Sequence, residues 1–430
     1  MNRRLYLAAL SGVVGALAGC LESDDSTAID DPGPLDGRYQ HGYDAGNSRY
    51  AVGLAGPTEK PTLQRRYTGL KESPLTADGG LYTTAAAVGF DGDRRWDPSS
   101  VDGDWGYRLA PAIYEDSVVS VATDEPVLQA FERADGTEGW QVELSEVARG
   151  DMAPAWLVVL DDRAYYPTSE GVGCVDLDAR EEAWQAELTE QYEALPDYGW
   201  HSPAATEEHV YALNAYSDEP RRLYALDPGS GAVDWTADLG FPVVAGFMGP
   251  AVGQRYVFVL AVNHPRDNAN DDAAGDGEDD ERWVSVVAID PADGEIAWTT
   301  PLAGLTRSVT GLAAADDRVY VTHGGLELDE PPWAGPALLT ELDAADGTVE
   351  WTTEIETNPV RLTVTGDLIF VVDSGYCLAV DRDGGDVLWR LALKDAWETS
   401  DSEPQLAGPP VVHDGRLFLD LTVDEVFGFW

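Results

Sequence analysis

Hydrophobic and polar residues recur along the chain in one repeated pattern. An alternating apolar run ends in an acidic residue, a turn rich in Asp and Gly follows, and a Trp stands eight positions after the acid. A typical copy is AIDPADGEIAW, in which Asp290 precedes Trp298. Six copies keep this spacing, and a degenerate copy, GFDGDRRW, keeps its Asp-Gly pair and its Trp. Self-similarity at a fixed period indicates a repeat architecture.

Each repeat predicts four short strands. Most repeats open with a small residue, a Pro and an alternating run, followed by a tight turn and an aromatic strand such as RVYVTH. Four antiparallel strands in about 40 residues are typical of a β-propeller blade. The last repeat stops after its third strand, whereas residues 61–70, PTLQRRYTGL, resemble a fourth strand that belongs to no repeat. We therefore predict an all-β fold, an eight-bladed β-propeller of four-stranded antiparallel blades, with the last blade closed by the N-terminal strand.

The repeated Trp residues are interpreted as structural. A Trp side chain offers a large flat surface to the neighbouring blade, and one Trp per blade gives a ring of contacts between blades. Gly in the preceding turn supplies the positive φ that a tight turn requires. The predicted docking residues are Trp96, Trp140, Trp184, Trp235, Trp298, Trp351 and Trp389.

One copy of the pattern carries a family resemblance. ALDPGSGAVDW has Ala225, Asp227, Ser230, Gly231 and Trp235 in the order of the tryptophan-docking motif of pyrroloquinoline-quinone-like (PQQ-like) repeat propellers. Residues 39–57, YQHGYDAGNSRYAVGLAGP, also resemble the segment that precedes the propeller in this family. The resemblance covers residues 39–430 and implies the propeller fold. It leaves the activity open, because the family includes quinoprotein dehydrogenases as well as non-catalytic propellers such as the lipoprotein of the outer-membrane β-barrel assembly machinery.

The N-terminus resembles an export signal. Arg3 and Arg4 precede an apolar stretch from Leu5 to Ala18, and the small residues that follow end in Cys20, as in a lipobox. An uncleaved membrane anchor would need about 20 apolar residues, more than this stretch provides. We predict a twin-arginine-like lipoprotein signal peptide over residues 1–20, an acidic tether and pre-propeller segment over 21–56, and the propeller over 57–430.

The net charge of the chain indicates the kind of environment it works in and excludes one class of partner. The formal net charge is −51, from 78 acidic and 27 basic residues. Such an excess of acid favours a halophile, because multi-molar salt screens the self-repulsion of the folded chain. Nucleic acid is excluded as a partner, since this surface cannot neutralise phosphates.

Candidate chemistry is sparse, and we predict no catalytic and no metal-binding residues. The sequence contains no recognisable catalytic or phosphate-binding motif. The acid-rich residues 267–282 lack the spacing of a calcium loop and are interpreted as a solvated loop. Cys174 and Cys377 fall in the third and seventh blades and are predicted to be buried and unpaired. By resemblance, a quinoprotein dehydrogenase would have adjacent cysteines and a calcium set of Glu, Asn and Asp, but this sequence has no Cys-Cys pair and no calcium set that can be aligned. A PQQ- or Ca²⁺-dependent dehydrogenase of reduced form is therefore the alternative and not the main prediction.

One face of the predicted propeller is elaborated. All the long segments belong to loops between second and third strands or to connectors between blades: 96–109, 189–201, 263–283, 323–336 and 394–408. Exposed aromatic residues on loops are typical of binding surfaces, although they could instead fold back as lids over the channel. The candidate binding face comprises Trp105, Tyr107, Tyr198, Trp200, His201, Trp333 and Trp397.

These observations predict a non-catalytic, lipid-anchored platform on the extracellular face of the cell membrane. The expected partners are the membrane, through Cys20, and other surface or membrane proteins, with the propeller itself monomeric. An extracellular ligand sensor is a third possibility.

Overall fold

The computed structural model describes residues 40, 42–70, 74–84, 86–96, 109–123, 126–147, 156–188, 202–213, 222–239, 249–263, 283–302, 309–324, 337–355, 361–372, 375–397, 408–422 and 425–430. The predicted signal peptide, Cys20 and the acidic tether lie outside these residues. No helix in the described ranges is long and apolar enough to cross a membrane.

The repeats fold into eight four-stranded antiparallel sheets, each of them one blade. Blade 1 holds β2 (Leu75–Ala77), β3 (Gly80–Tyr82), β4 (Ala87–Gly89) and β5 (Arg94–Trp96), and blade 2 holds β6 (Ala112–Tyr114), β7 (Ser117–Ala122), β8 (Val127–Glu132) and β9 (Glu138–Glu143). Blade 3 holds β10 (Val158–Leu160), β11 (Arg163–Pro167), β12 (Gly171–Asp176) and β13 (Glu181–Glu187), and blade 4 holds β14 (Ala204–Ala205), β15 (Val210–Leu213), β16 (Arg222–Leu226) and β17 (Val233–Asp238).

The second half of the ring continues the same order. Blade 5 holds β18 (Ala251–Val252), β19 (Val257–Asn263), β20 (Trp283–Ile289) and β21 (Ile296–Leu302), and blade 6 holds β22 (Val309–Ala315), β23 (Arg318–Gly324), β24 (Ala337–Asp343) and β25 (Val349–Ile355). Blade 7 holds β26 (Arg361–Val364), β27 (Leu368–Val372), β28 (Tyr376–Asp381) and β29 (Val387–Ala392), followed by the short helix α1 (Lys394–Trp397). Blade 8 holds β30 (Val411–His413), β31 (Arg416–Thr422), β32 (Glu425–Phe429) and β1 (Leu63–Thr68).

The two ends of the chain close the ring in blade 8. β1 pairs antiparallel with β32, and Tyr67 lies opposite Val426 in this pairing. The predicted eight-bladed fold and its closure by the N-terminal strand are confirmed. Closure pairs the free edge of β32, which would otherwise be open to other chains.

The core lies between the blades. In one cluster, Tyr211 and Leu223 of blade 4 pack with Val257 and Val287 of blade 5. First strands of neighbouring blades contact each other around the propeller axis, and the fourth strands lie at the rim. The inner strands of each sheet are thus largely buried on both faces, and burying such apolar surface stabilises a propeller blade by blade.

The Trp of one blade docks onto the turn of the next. Trp235 packs against Tyr211 within blade 4, with ring centroids 6.0 Å apart. Its indole Nε1 donates to the carbonyl of Pro291 in blade 5 at 2.9 Å, and its ring lies over Gly294, whose φ is +77°. The same indole-to-carbonyl bond joins Trp96 to Arg133, Trp184 to Pro228, Trp298 to Ala344 and Trp389 to Pro57. Trp351 lies over Gly385 in the same way.

Two positions complete the ring with other residues. In blade 3 the turn glycine is replaced by Arg180, which keeps the left-handed conformation with φ +57° and places its guanidinium 5.3 Å from the ring centroid of Trp140. In blade 8 the fourth strand carries Tyr67 instead of Trp, and its hydroxyl donates to the carbonyl of Phe90 in blade 1 at 2.9 Å. In these two blades a cation–π contact and a Tyr hydroxyl therefore replace the usual contact of a Trp with the turn of the next blade.

Gly294→Ala tests the contact between the Trp235 ring and the turn of blade 5, with Gly415→Ala as its control. Both glycines have positive φ, +77° and +72°, so both variants pay about 1–2 kcal/mol of left-handed backbone strain. A methyl group at Gly294 would overlap the ring of Trp235, whereas nothing lies within 4 Å of the equivalent atom at Gly415. We expect Gly294→Ala to lose a further ~1–3 kcal/mol of unfolding free energy through overpacking. The two free energies of unfolding are measured by chemical denaturation. Equal losses in the two variants would show that the Trp235 indole can move aside without cost.

Candidate functional site

The pre-propeller segment, described at residues 40 and 42–57, contacts the first strands of six blades. Its carbonyls accept backbone N–H bonds from one inner residue in each of blades 4 to 7: Ala205 to Ala45, Val252 to Gly46, Ala314 to Ser48 and Val364 to Arg49, at 2.7–3.0 Å. Gln40 exchanges two hydrogen bonds with Val159 of blade 3. The Tyr43 hydroxyl accepts from the N–H of Val412 in blade 8 at 3.0 Å. Because the first strands surround the axis, the segment lies on it.

Local backbone conformations bend the segment around the axis. Tyr43, Asn47 and Arg49 all have positive φ, 72°, 53° and 58°. The Asp44 carboxylate accepts from the Ser48 N–H at 2.9 Å and from the Ser48 hydroxyl at 2.5 Å, which closes a tight turn. Burial raises the pKa of Asp44 to about 6, against the lowering effect of the Ser48 hydrogen bonds.

A cavity of about 510 Å³ opens beside this turn. It lies on the turn face, which we define as the face formed by the turns between first and second strands and between third and fourth strands. The lining combines the pre-propeller segment with strands and turns of blades 3 to 6: Asp44, Ala45, Gly46, Ser48, Tyr50, Leu160, Ala205, Thr206, Glu207, Glu208, Tyr211, Val252, Gly253, Gln254, Pro291, Ala314 and Asp316. Four carboxylates and several hydroxyls thus share one concave site with apolar walls, which is the composition of a small-molecule pocket.

One wall of the cavity is held by a hydrogen-bond network. Tyr50 donates to Asp316 at 3.0 Å, and Arg382 approaches the same carboxylate at 2.7 Å. Arg382 also donates to the Tyr320 hydroxyl at 2.9 Å and lies 5.2 Å from the ring centroid of Tyr50. The charge of Asp316 is therefore balanced, and the wall is fixed before any ligand arrives.

The histidines and cysteines among the described residues are dispersed over several blades. His209, His323 and His413 belong to blades 4, 6 and 8, and burial lowers the pKa of His323 to about 4. Cys174 and Cys377 are buried, free thiols in blades 3 and 7, and burial raises the pKa of Cys174 to about 11. Among the described residues, no three His, Cys, Asp or Glu side chains are grouped to hold a metal ion.

The candidate binding face lies almost wholly outside the described residues. Trp105, Tyr107, Tyr198, Trp200, His201 and Trp333 fall there, as does the acid-rich stretch 267–282. Trp397 ends helix α1, but its side chain is outside the description.

The cavity is not marked by any motif in the sequence. Glu207, Glu208 and Asp316 look like the turn acids of any other repeat, and nothing local marks them as neighbours of Asp44. The one signal in the sequence is the polar stretch DAGNSR, residues 44–49, which departs from the repeat pattern just before the repeats begin.

Comparisons with known proteins agree with this architecture. The family model described as outer membrane protein assembly factor BamB matches residues 77–265 and 221–420. The chain is similar to the quinohemoprotein alcohol dehydrogenase from Comamonas testosteroni, with 13% identity, a TM-score of 0.60, and 92% of this chain and 80% of that chain covered. It is also similar to BamB from Moraxella catarrhalis, with 18% identity, a TM-score of 0.53, and 86% and 97% covered.

A europium-containing methanol dehydrogenase is similar as well, with 13% identity, a TM-score of 0.57, and 91% of this chain and 90% of that chain covered. No curated protein sequence matches the chain. At these identities the structural likenesses show the fold alone, but the family model spans most of the chain. The chain therefore belongs to the PQQ-like repeat propeller family whose model is described as outer membrane protein assembly factor BamB.

Proposed function

We propose that this propeller is a non-catalytic binding platform, exported and lipid-anchored at Cys20 on the outer face of a halophile's cell membrane. The family match supports the platform, since that model is described by an assembly factor. The lipobox-like sequence before Cys20 and the net charge of −51 support the anchor and the saline surroundings. The partners would be other surface or membrane proteins.

The observation that carries the proposal is the placement of the long segments. Strands alternate in direction within each blade, so the ends of second and fourth strands share the face opposite the turn face, here called the loop face. Five long stretches join strands at those ends: 97–108, 189–201, 264–282, 325–336 and 398–407. The repeated Trp residues, by contrast, contact neighbouring blades. A rigid scaffold that carries aromatic loops on one face is the usual design of a binding domain.

The residues present do not fit a quinoprotein site of the kind that the family resemblance implies. Such a site has adjacent cysteines, whereas Cys174 is buried in β12 of blade 3 and Cys377 in β28 of blade 7, four blades away. Their thiols cannot meet in this ring. A dehydrogenase remains the alternative function, and we derive no catalytic step from it.

The test is crosslinking of the full chain in its host cells. A variant with Trp105→Ala, Trp200→Ala and Trp333→Ala should lose the adducts that the wild-type chain forms, while its thermal midpoint stays within a few degrees. Trp430→Ala removes an exposed Trp from the end of blade 8 and should keep every adduct. If the triple variant keeps its adducts, or loses them only because its midpoint falls sharply, the loop face is self-packed and the proposal is wrong.

The alternative is tested separately. Pyrroloquinoline quinone, with and without Ca²⁺, is titrated into the purified chain in multi-molar salt, with Trp fluorescence and dye-linked alcohol oxidation as readouts. We expect no saturable binding and no turnover. Saturable binding with turnover would make the chain an enzyme.

A further inference from the structure

We propose that the turn-face cavity binds an aliphatic polyamine, with the ammonium groups at its carboxylates and the alkyl chain along its apolar wall. The site lies on the turn face, opposite the loop face, and is independent of the platform function. A volume of about 510 Å³ falls within the range of small-molecule sites, roughly 300–1,000 Å³.

The apolar part of the cavity suits a hydrocarbon. Ala45, Leu160, Val252 and Ala314 line it, each contributed by the pre-propeller segment or by the first strand of a different blade. Burying methylene groups against such a wall stabilises a complex by about 0.8 kcal/mol for each CH₂ that is fully removed from water. A bare metal ion would gain nothing from this wall, but an alkyl amine would.

The charge of the cavity selects a cation. Four lining residues are acidic and none of the lining residues is basic. Asp316 is balanced by Arg382 at 2.7 Å, which leaves Asp44 beside the pre-propeller turn and Glu207 and Glu208 on the turn of blade 4. Carboxylates that enter one cavity from two different elements match a ligand with more than one ammonium group. In multi-molar salt the Debye length is about 3 Å or less, so only groups that reach these carboxylates directly are recognised.

The cavity is formed in advance. The segment that supplies Asp44 and Ala45 is fixed by backbone bonds from Ala205, Val252 and Ala314, three residues that also line the cavity. Asp44 is held by Ser48 at 2.5 and 2.9 Å. A preorganised site loses little conformational entropy on binding, which raises its affinity.

Calorimetric titration of spermidine into the full chain in multi-molar KCl tests the proposal. We expect saturable binding of one spermidine per chain. The neutral chain 1,8-octanediol has a similar length and should show no saturable binding, because it lacks the ammonium groups. Absence of saturable spermidine binding, or equal binding of the diol, would overturn the proposal.

Two charge-matched variants locate the site. Glu207→Gln with Glu208→Gln removes two exposed carboxylates from the cavity and should weaken spermidine binding at least tenfold. Asp161→Asn with Asp162→Asn removes two exposed carboxylates from the corresponding turn of blade 3, outside the lining, and should change binding less than twofold. Neither pair is buried, so both variants should fold. Equal weakening in the two variants would show general attraction to an acidic surface and contradict the site.

Discussion

Trp389→Ala is expected to lower the free energy of unfolding by about 3–5 kcal/mol, the cost of truncating a buried Trp. Trp389 is 7% exposed, and its ring packs against Phe370 with centroids 5.9 Å apart. Its Nε1 donates to the carbonyl of Pro57 at 3.2 Å. The third and fourth strands of blade 8 come from the two ends of the chain, so no turn joins them, and Pro57 of the pre-propeller segment receives the indole instead. The variant therefore removes this contact between blade 7 and the pre-propeller segment.

Chemical denaturation in multi-molar salt, with midpoint and slope both recorded, measures this loss. Trp389→Phe keeps an aromatic ring but removes the indole donor, and we expect it to lose less than Trp389→Ala. Trp430→Ala, at a residue that is 39% exposed, should stay within about 0.5 kcal/mol of the wild-type chain. If Trp389→Ala lost no more unfolding free energy than Trp430→Ala, the Trp contacts between blades would not be what holds the blades together.

The fold could be predicted because each blade solves the same packing problem with the same residues. A Trp, a turn Gly and an alternating strand recur at fixed spacing, so the pattern reports blade number and strand order directly. The same periodicity exposed the incomplete last repeat and the strand over residues 61–70 that completes it. Closure of the ring was predictable because the incomplete last repeat leaves a strand edge unpaired, and the extra strand over residues 61–70 is available to pair with it.

The exceptions within the ring could not be read in the same way. Arg180 replaces a turn glycine and adopts φ +57°. This conformation is uncommon for residues other than Gly, so the residue type does not predict it. Tyr67 precedes Leu70 by three positions rather than the usual four, and Gly69 at φ +75° turns the chain so that Leu70 is still fully buried. These substitutions preserve a contact and not a sequence pattern, so only the structure reveals them.

The cavity was unpredictable for a different reason. Its contacts join residues far apart in the chain, such as Gln40 with Val159 and Tyr43 with Val412. The hydrophobic pattern reports which residues are buried in a strand, but not which turn faces a segment that has no repeat of its own. Asp44 meets the turn acids only because the ring closes around residues 42–51.

A chain that begins at residue 71 is expected to lose its cooperative unfolding transition. It lacks β1 and the pre-propeller segment, and with them the buried side chains of Tyr43, Leu54, Tyr67 and Leu70. Burial of each such side chain contributes about 1.5–3 kcal/mol. Their sum is comparable with the whole stability of a domain, about 5–15 kcal/mol. The open edge of β32 should also promote aggregation. Thermal and denaturant melts check the expectation, with a chain that begins at residue 40 as the control that should melt like the full chain.

Rescue by a peptide distinguishes loss of closure from a general folding defect. A synthetic peptide of residues 40–70 binds only the closed state, so it should restore the transition and raise its midpoint with peptide concentration. The same peptide with Tyr43→Ala and Tyr67→Ala lacks the hydroxyls that contact Val412 and Phe90, and it should restore far less. A shortened chain that melts cooperatively at the full-length midpoint without any peptide would mean that seven complete blades and three strands close without the N-terminal segment. In that case the axial contacts and the pairing of β1 with β32 would follow from closure and would not cause it.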